Sequence, residues 1–211
     1  AILMLILLSV LIPARAEESV SPMIVSETAN STEYPALEAD IPVITSEGKS
    51  NVKIAGVKSK NKLVRYTIPE TLLRADENFL ALMVEAEKYI GYPYVYGGSK
   101  PSTGFDCSGF VCWVFRQSGV YDTGRLGAKG LYSLCTDVSR DEARPGDLVF
   151  FTKTMGADVK GITHVGIYVG NNMMLHAGDP VGFADLQSDK WAKKIYAFGR
   201  LPVQQGAQAN E

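Results

Sequence analysis

A chain of 211 residues, 46% of them hydrophobic, has the composition of a globular protein and is long enough for one domain of ordinary size plus a linker or tail. Its 21 basic residues against 23 acidic ones leave a formal charge of −2. There is no cationic excess to neutralise phosphates, and nucleic acid is excluded as the main partner.

Residues 2–12 form an apolar run broken only by Ser9, followed by Pro13 and the small-x-small triplet Ala14-Arg15-Ala16. These features read as a signal peptide or an anchor remnant over residues 1–16 and imply a secreted or cell-envelope location. The run is shorter than the roughly 20 residues that cross a bilayer, so no stable membrane span is expected once the signal is cleaved. Residues 17–75 are expected to be a linker, largely disordered, because the Glu-, Ser-, Thr- and Pro-rich part to about residue 48 has no sustained apolar period. The basic stretch that follows (Lys49, Lys53, Lys58, Lys60, Lys62, Arg65) alternates loosely with Val52, Ile54, Val57, Leu63 and Val64, enough for a strand or two. Its charge reads as a solvated linker face rather than as a contact for an anionic polymer.

At Asp76 the pattern changes and the main domain, residues 76–203, is expected to begin. Asp76 is placed to cap a helix whose apolar positions Phe79, Leu80, Met83, Val84, Ala86 and Ile90 recur at three and four, with Gly91 ending it. A glycine-aromatic loop leads to Cys107 in the first turn of a second helix, which runs through Phe110-Val111-Cys112-Trp113-Val114-Phe115 to near Gly119. Between Tyr121 and Arg144 the only signal is a short helix around residues 130–135. Strands are predicted over residues 148–151, 164–169, 173–177 and 195–201, with Gly170-Asn171-Asn172 as a hairpin turn and residues 204–211 as a disordered tail. Helices first and an antiparallel meander after them make an α+β domain.

Cys107 is the candidate nucleophile. A helix start offers unpaired N–H groups and the positive end of the dipole, which favour thiolate over thiol. The chain has two histidines, His164 and His176, and the predicted hairpin sets them within a residue or two of opposite each other. Cysteine catalysis needs a sulfur, a base and a group that orients the base, and Cys107, His164 and His176 suit those roles in that order. The backbone N–H of Ser108 or Cys107 and the Tyr94 hydroxyl are candidate donors to an oxyanion. Gly97, Gly98 and Gly109 are read as leaving room for a substrate backbone near the sulfur. Cys112 and Cys135 form either a disulfide or two buried thiols. The spacing of the three cysteines fits no usual zinc ligand set, so neither a metal nor another cofactor is expected.

Gly91-Tyr92-Pro93-Tyr94-Val95-Tyr96-Gly97-Gly98, Phe105-Asp106-Cys107-Ser108-Gly109-Phe110-Val111, Arg144-Pro145-Gly146-Asp147-Leu148-Val149-Phe150-Phe151, His164-Val165-Gly166-Ile167-Tyr168-Val169-Gly170 and Met174-Leu175-His176-Ala177 stand in an order that resembles the NlpC-type cell-wall cysteine peptidases. The resemblance implies a papain-like minimal fold, N-terminal helices packed on an antiparallel sheet. It also implies hydrolysis of bacterial peptidoglycan stem peptides, commonly between D-glutamate and the following diamino acid. By motif position Cys107 is the nucleophile, His164 the base and His176 the orienting residue. Tyr94 matches a tyrosine near the oxyanion, and Asp106 and Ser108 match positions that line the site and hold a substrate amine. No wall-binding repeat is recognisable, and a monomer is expected. The rival readings are an amidase of related fold and a non-catalytic wall-binding protein.

Overall fold

The structure, a computed structural model, describes residues 40–47, 52–59, 61–156 and 158–203; the expected signal segment, most of the expected linker and the expected tail lie outside these. The described residues belong to one unit that begins at Asp40. Its centre is an antiparallel sheet of β5 (Thr136–Val138), β6 (Leu148–Thr152), β7 (Ile162–Gly170), β8 (Met173–Ala177), β9 (Val181–Asp185) and β10 (Ile195–Arg200) in the order β5-β10-β6-β7-β8-β9. Helices α1 (Glu70–Arg74), α2 (Glu77–Glu87), α3 (Cys107–Gln117) and α4 (Ala128–Leu134) precede all six strands. This is the expected α+β, papain-like arrangement. Among the described residues no helix is long and apolar enough to cross a membrane.

The helices form where their caps and stripes require. The Asp76 side chain accepts from the Phe79 N–H at 3.0 Å, closing the first turn of α2. Phe79, Leu82, Met83 and Ala86 face the core, while Val84 is 39% exposed. At about 100° per residue, position 84 lies far round the helix from position 79, so Leu82 takes the place expected for it. In α3, Phe110, Val111, Val114 and Phe115 are buried to within 1%. Alternation in the strands divides the core. Leu148, Phe150, Val165, Ile167 and Leu175 join the helix side, and Val149, Phe151, Met174 and Phe198 join a smaller cluster around Trp191 on the opposite face.

One expectation is corrected here, and β9 had not been expected. The part of the linker that the structure describes is packed: Ile44, Ile68 and Leu73 are 0%, 2% and 1% exposed, and Thr45 bridges Thr67. Isolated apolar residues without a period each fill one site in the core of a neighbouring segment, and periodicity does not register that. The basic stretch does make the hairpin β1 (Lys53–Ile54) and β2 (Val57–Lys58), and a second two-stranded pair, β3 (Ser99–Lys100) and β4 (Gly104–Phe105), leads into α3. β9 also had no sequence signal, because Gly178, Asp179, Pro180 and Gly182 read as a loop. Pro180 sits just ahead of the strand, where it needs no ladder N–H. Gly182 is where a Cβ would be 2.8 Å from Leu63 Cδ2, so the earlier segment lies directly against β9.

Candidate active site

Cys107 opens α3, and the residue before it fixes its place. Asp106 caps the helix: Oδ1 accepts the Gly109 N–H at 2.6 Å and the Ser108 hydroxyl at 3.0 Å. Oδ2 accepts the Gly97 N–H at 3.1 Å and Arg125 Nη2 at 2.7 Å, and Arg125 Nη1 also donates to Ser108 Oγ at 3.1 Å. One buried carboxylate therefore joins the glycine loop, the helix start and the segment before α4. Asp106 and Ser108, expected to hold a substrate amine, are already engaged with each other and with a guanidinium. Arg125 went unseen in the sequence because it lies in a polar stretch with no periodicity to mark it.

The glycines of this region serve the backbone rather than a substrate. A Cβ on Gly109 would lie 2.1 Å from Gly98 O, and one on Gly98 would lie 2.5 Å from Gly104 O. Both residues let the loop press onto the helix start, where the Asp106 N–H donates to Gly98 O at 2.9 Å. Gly97 differs, since it has open space around it and a φ of +75° that suits a turn.

The histidines come together as the sequence suggested, by a route it did not. β7 and β8 pair Ile167 with Leu175 and Tyr168 with Met174, and asparagines 171 and 172, at φ 51° and 56°, make the turn. Continuing that register puts Gly166 opposite His176 and His164 two residues further on, a diagonal pair. The rings meet because Gly166 has no side chain: a Cβ there would be 3.1 Å from His176 Cβ. His164 Nε2 lies 2.8 Å from His176 Nδ1. Trp191 covers both, stacked on His164 at 5.2 Å and edge-on to His176 at 5.0 Å.

Burial sets the charge states. The Cys107 thiol is pushed up to about 11, by burial first and then by the Asp106 carboxylate, while N–H groups of Val165, Ser108 and Cys107 itself pull it down. The positive helix end expected to favour thiolate is thus outweighed, because removing a charge from water costs more and the capping carboxylate opposes it. His164 is brought down to about 4 by burial and then by the Lys190 charge, with Asp106 opposing; His176 falls well below its ordinary value, again through burial first. These shifts leave the resting thiol and both imidazoles neutral. The Tyr94 phenol is pushed up by burial and then by Cys107 and Asp106, which puts it in their electrostatic reach. Tyr94, Tyr96, His164, His176, Lys190 and Trp191 line one open cleft.

Cys112 and Cys135 are not joined: their sulfurs donate to Leu126 O at 3.6 Å and Leu131 O at 3.3 Å, so both are free thiols, Cys112 buried as expected and Cys135 only half-buried. Among the described residues no cluster of His, Cys, Asp or Glu is disposed to hold a metal ion.

Residues 91–200 match the model of the NlpC/P60 family. The bifunctional muramidase/DL-endopeptidase CwlT of Bacillus subtilis is 46% identical over 121 residues, 57% of this chain and 36% of that protein. The gamma-DL-glutamyl hydrolase of the same organism is 41% identical over 120 residues, 56% of this chain and 28% of its own length. The chain thus spans between about a fifth and just over a third of the longer curated relatives it matches. Among solved structures, an NLP/P60-family protein similar to a lipoprotein, from Staphylococcus aureus, superposes with a TM-score of 0.56 at 42% identity, covering 60% of this chain and 42% of the other. With the family model matching more than half of its residues, the chain belongs to the NlpC/P60 family.

Proposed function

We propose that the protein is a cysteine endopeptidase of the cell envelope that hydrolyses peptidoglycan stem peptides at the bond between D-glutamate and the following diamino acid. The observation that carries the reading is the 2.8 Å contact between His164 Nε2 and His176 Nδ1, with His164 on the strand β7, against which the helix opened by Cys107 packs. The names of the two Bacillus subtilis relatives, a DL-endopeptidase and a gamma-DL-glutamyl hydrolase, support the choice of bond.

In this reading His164 Nε2–H donates to His176 Nδ1, which leaves His164 Nδ1 with a lone pair for the thiol proton. A neutral pair is suited to this, since the base takes the proton as the sulfur attacks. The C–S bond forms at the γ-carbonyl, and the oxyanion is met by the Cys107 or Ser108 N–H and the Tyr94 hydroxyl. As the tetrahedral centre collapses the C–N bond breaks, and His164 returns the proton to the leaving amine. Water, deprotonated by the same nitrogen, then hydrolyses the thioester. His176, neutral throughout, accepts a hydrogen bond from the imidazolium while it lasts.

The test is mass spectrometry of muropeptides digested by the purified protein. New amino termini on the diamino acid are expected, and they vanish for Cys107→Ala although that variant keeps its far-UV spectrum. Full activity in Cys107→Ala, or release of intact stem peptides from muramic acid, overturns the reading.

A further inference from the structure

Lys190 lies in the turn after β9 and reaches the rim of the cleft that His164, His176 and Tyr94 line. Its ammonium sits over the face of Trp191, 5.2 Å from the ring centre, and that ring stacks on His164. A second hollow, between β9 and residues 61–64, shares Lys190, His176 and Trp191 with the first, so the side chain stands where two depressions meet at the histidines. Among the described residues no carboxylate forms an ion pair with it, although Asp179 lines the same cleft. Its charge is felt by both imidazoles, lowering each. An exposed cation without a carboxylate partner, held over an aromatic face beside a proposed base, is placed to meet an anion on the substrate.

The substrate of the reading above supplies one. A D-glutamyl residue linked through its γ-carbonyl keeps a free α-carboxylate close to the scissile bond, and a diamino acid such as diaminopimelate brings a further carboxylate on the leaving side. We propose that Lys190 is a specificity residue that binds a substrate carboxylate flanking the scissile bond. The assignment rests on the reading above and deepens it. A lysine meets such a group as a point charge, so arginine should serve nearly as well and an uncharged side chain should not.

The experiment measures kcat/KM for four peptides, L-alanyl-D-glutamyl-L-lysyl-D-alanine with the γ-linkage, its D-isoglutamine form, and the diaminopimelate counterpart of each. Wild type, Lys190→Arg and Lys190→Gln are compared. The wild type and Lys190→Arg are expected to favour the carboxylate-bearing member of at least one pairing by about tenfold or more, a charged hydrogen bond being worth that much. Lys190→Gln is expected to lose that preference. Which pairing collapses identifies the carboxylate, since amidation alters the D-glutamyl side and diaminopimelate alters the leaving side. If Lys190 only supports Trp191, Lys190→Gln lowers all four values by one factor, and the proposal is overturned. Lys190→Gln keeping the wild-type preferences, or a wild type without any preference, overturns it as well. Cleavage of none of the peptides by the wild type overturns the endopeptidase reading, and this assignment with it.

Discussion

The ring of Trp191 lies against that of His164 at 5.2 Å and 26° from parallel, and it meets His176 edge-on. One side chain that no motif contains therefore closes the histidine pair from water. Trp191→Ala opens a cavity in the smaller cluster and lets solvent reach both rings, and a buried Trp→Ala costs about 3–5 kcal/mol. Thermal melting is expected to show that loss. The acid limb of kcat/KM should move upward, as the burial that holds His164 down to about 4 is relieved. Trp191→Phe is expected to show smaller changes in both.

Both histidines have folded pKa values below the ordinary one of about 6.5, so the unfolded chain binds protons that the folded chain refuses. Lowering the pH below about 6.5 therefore favours unfolding, by up to about 1.4 kcal/mol per pH unit for each group, until the folded pKa is reached. For His164 that window closes at about 4. Urea titrations at about pH 7 and about pH 5 should show the drop, and His164→Gln/His176→Gln should show a smaller one. An equal drop in that variant assigns the effect to the carboxylates.

Gly178 sits against the far edge of His176: a Cβ there would be 2.6 Å from Cε1 and 3.0 Å from Nε2. Trp191 and His164 hold two of its other sides. Gly178→Ala is expected to tilt His176 and lower kcat by about a hundredfold, the scale of a misplaced catalytic group, with KM nearly unchanged. Steady-state kinetics on a γ-glutamyl peptide measure it. An unaltered kcat means the turn after β8 yields instead.

Ile44, Ile68 and Leu73 are fully or almost fully buried, and each such side chain contributes about 1.5–3 kcal/mol. A version of the protein starting at Asp76, where the sequence pattern alone would place the boundary, should be less stable than one starting at Asp40 by several of these units. The Tyr66 and Leu63 contacts to Phe183 and Gly182 on β9 are lost with them. Denaturant midpoints of the two versions decide the matter. Equal midpoints would mean that the segment only rests on the domain.

The sequence made most of the fold legible where a local rule acts alone. Asp76 announces its helix because capping involves one side chain and its own first turn, and asparagines 171 and 172 announce the hairpin because few residues accept its backbone. What stayed hidden depends on partners distant in the chain. Arg125 meets Asp106 across 19 positions, Trp191 reaches histidines on two earlier strands, and β9 forms because segments far ahead of it cover it. The electrostatic expectation failed for the same reason. A helix start is visible in the sequence, but the burial that overrides its field is a property of the assembled site.

The neutrality of Cys107 has a bearing on durability. Peroxides and disulfides react with thiolate far faster than with thiol, and this sulfur is 8% exposed and held protonated at neutral pH. In the proposed mechanism, where Cys107 ionises only as a base accepts its proton, the sulfur stays out of reach of oxidants between turnovers. On that reading, resistance to air oxidation comes with a dependence on His164.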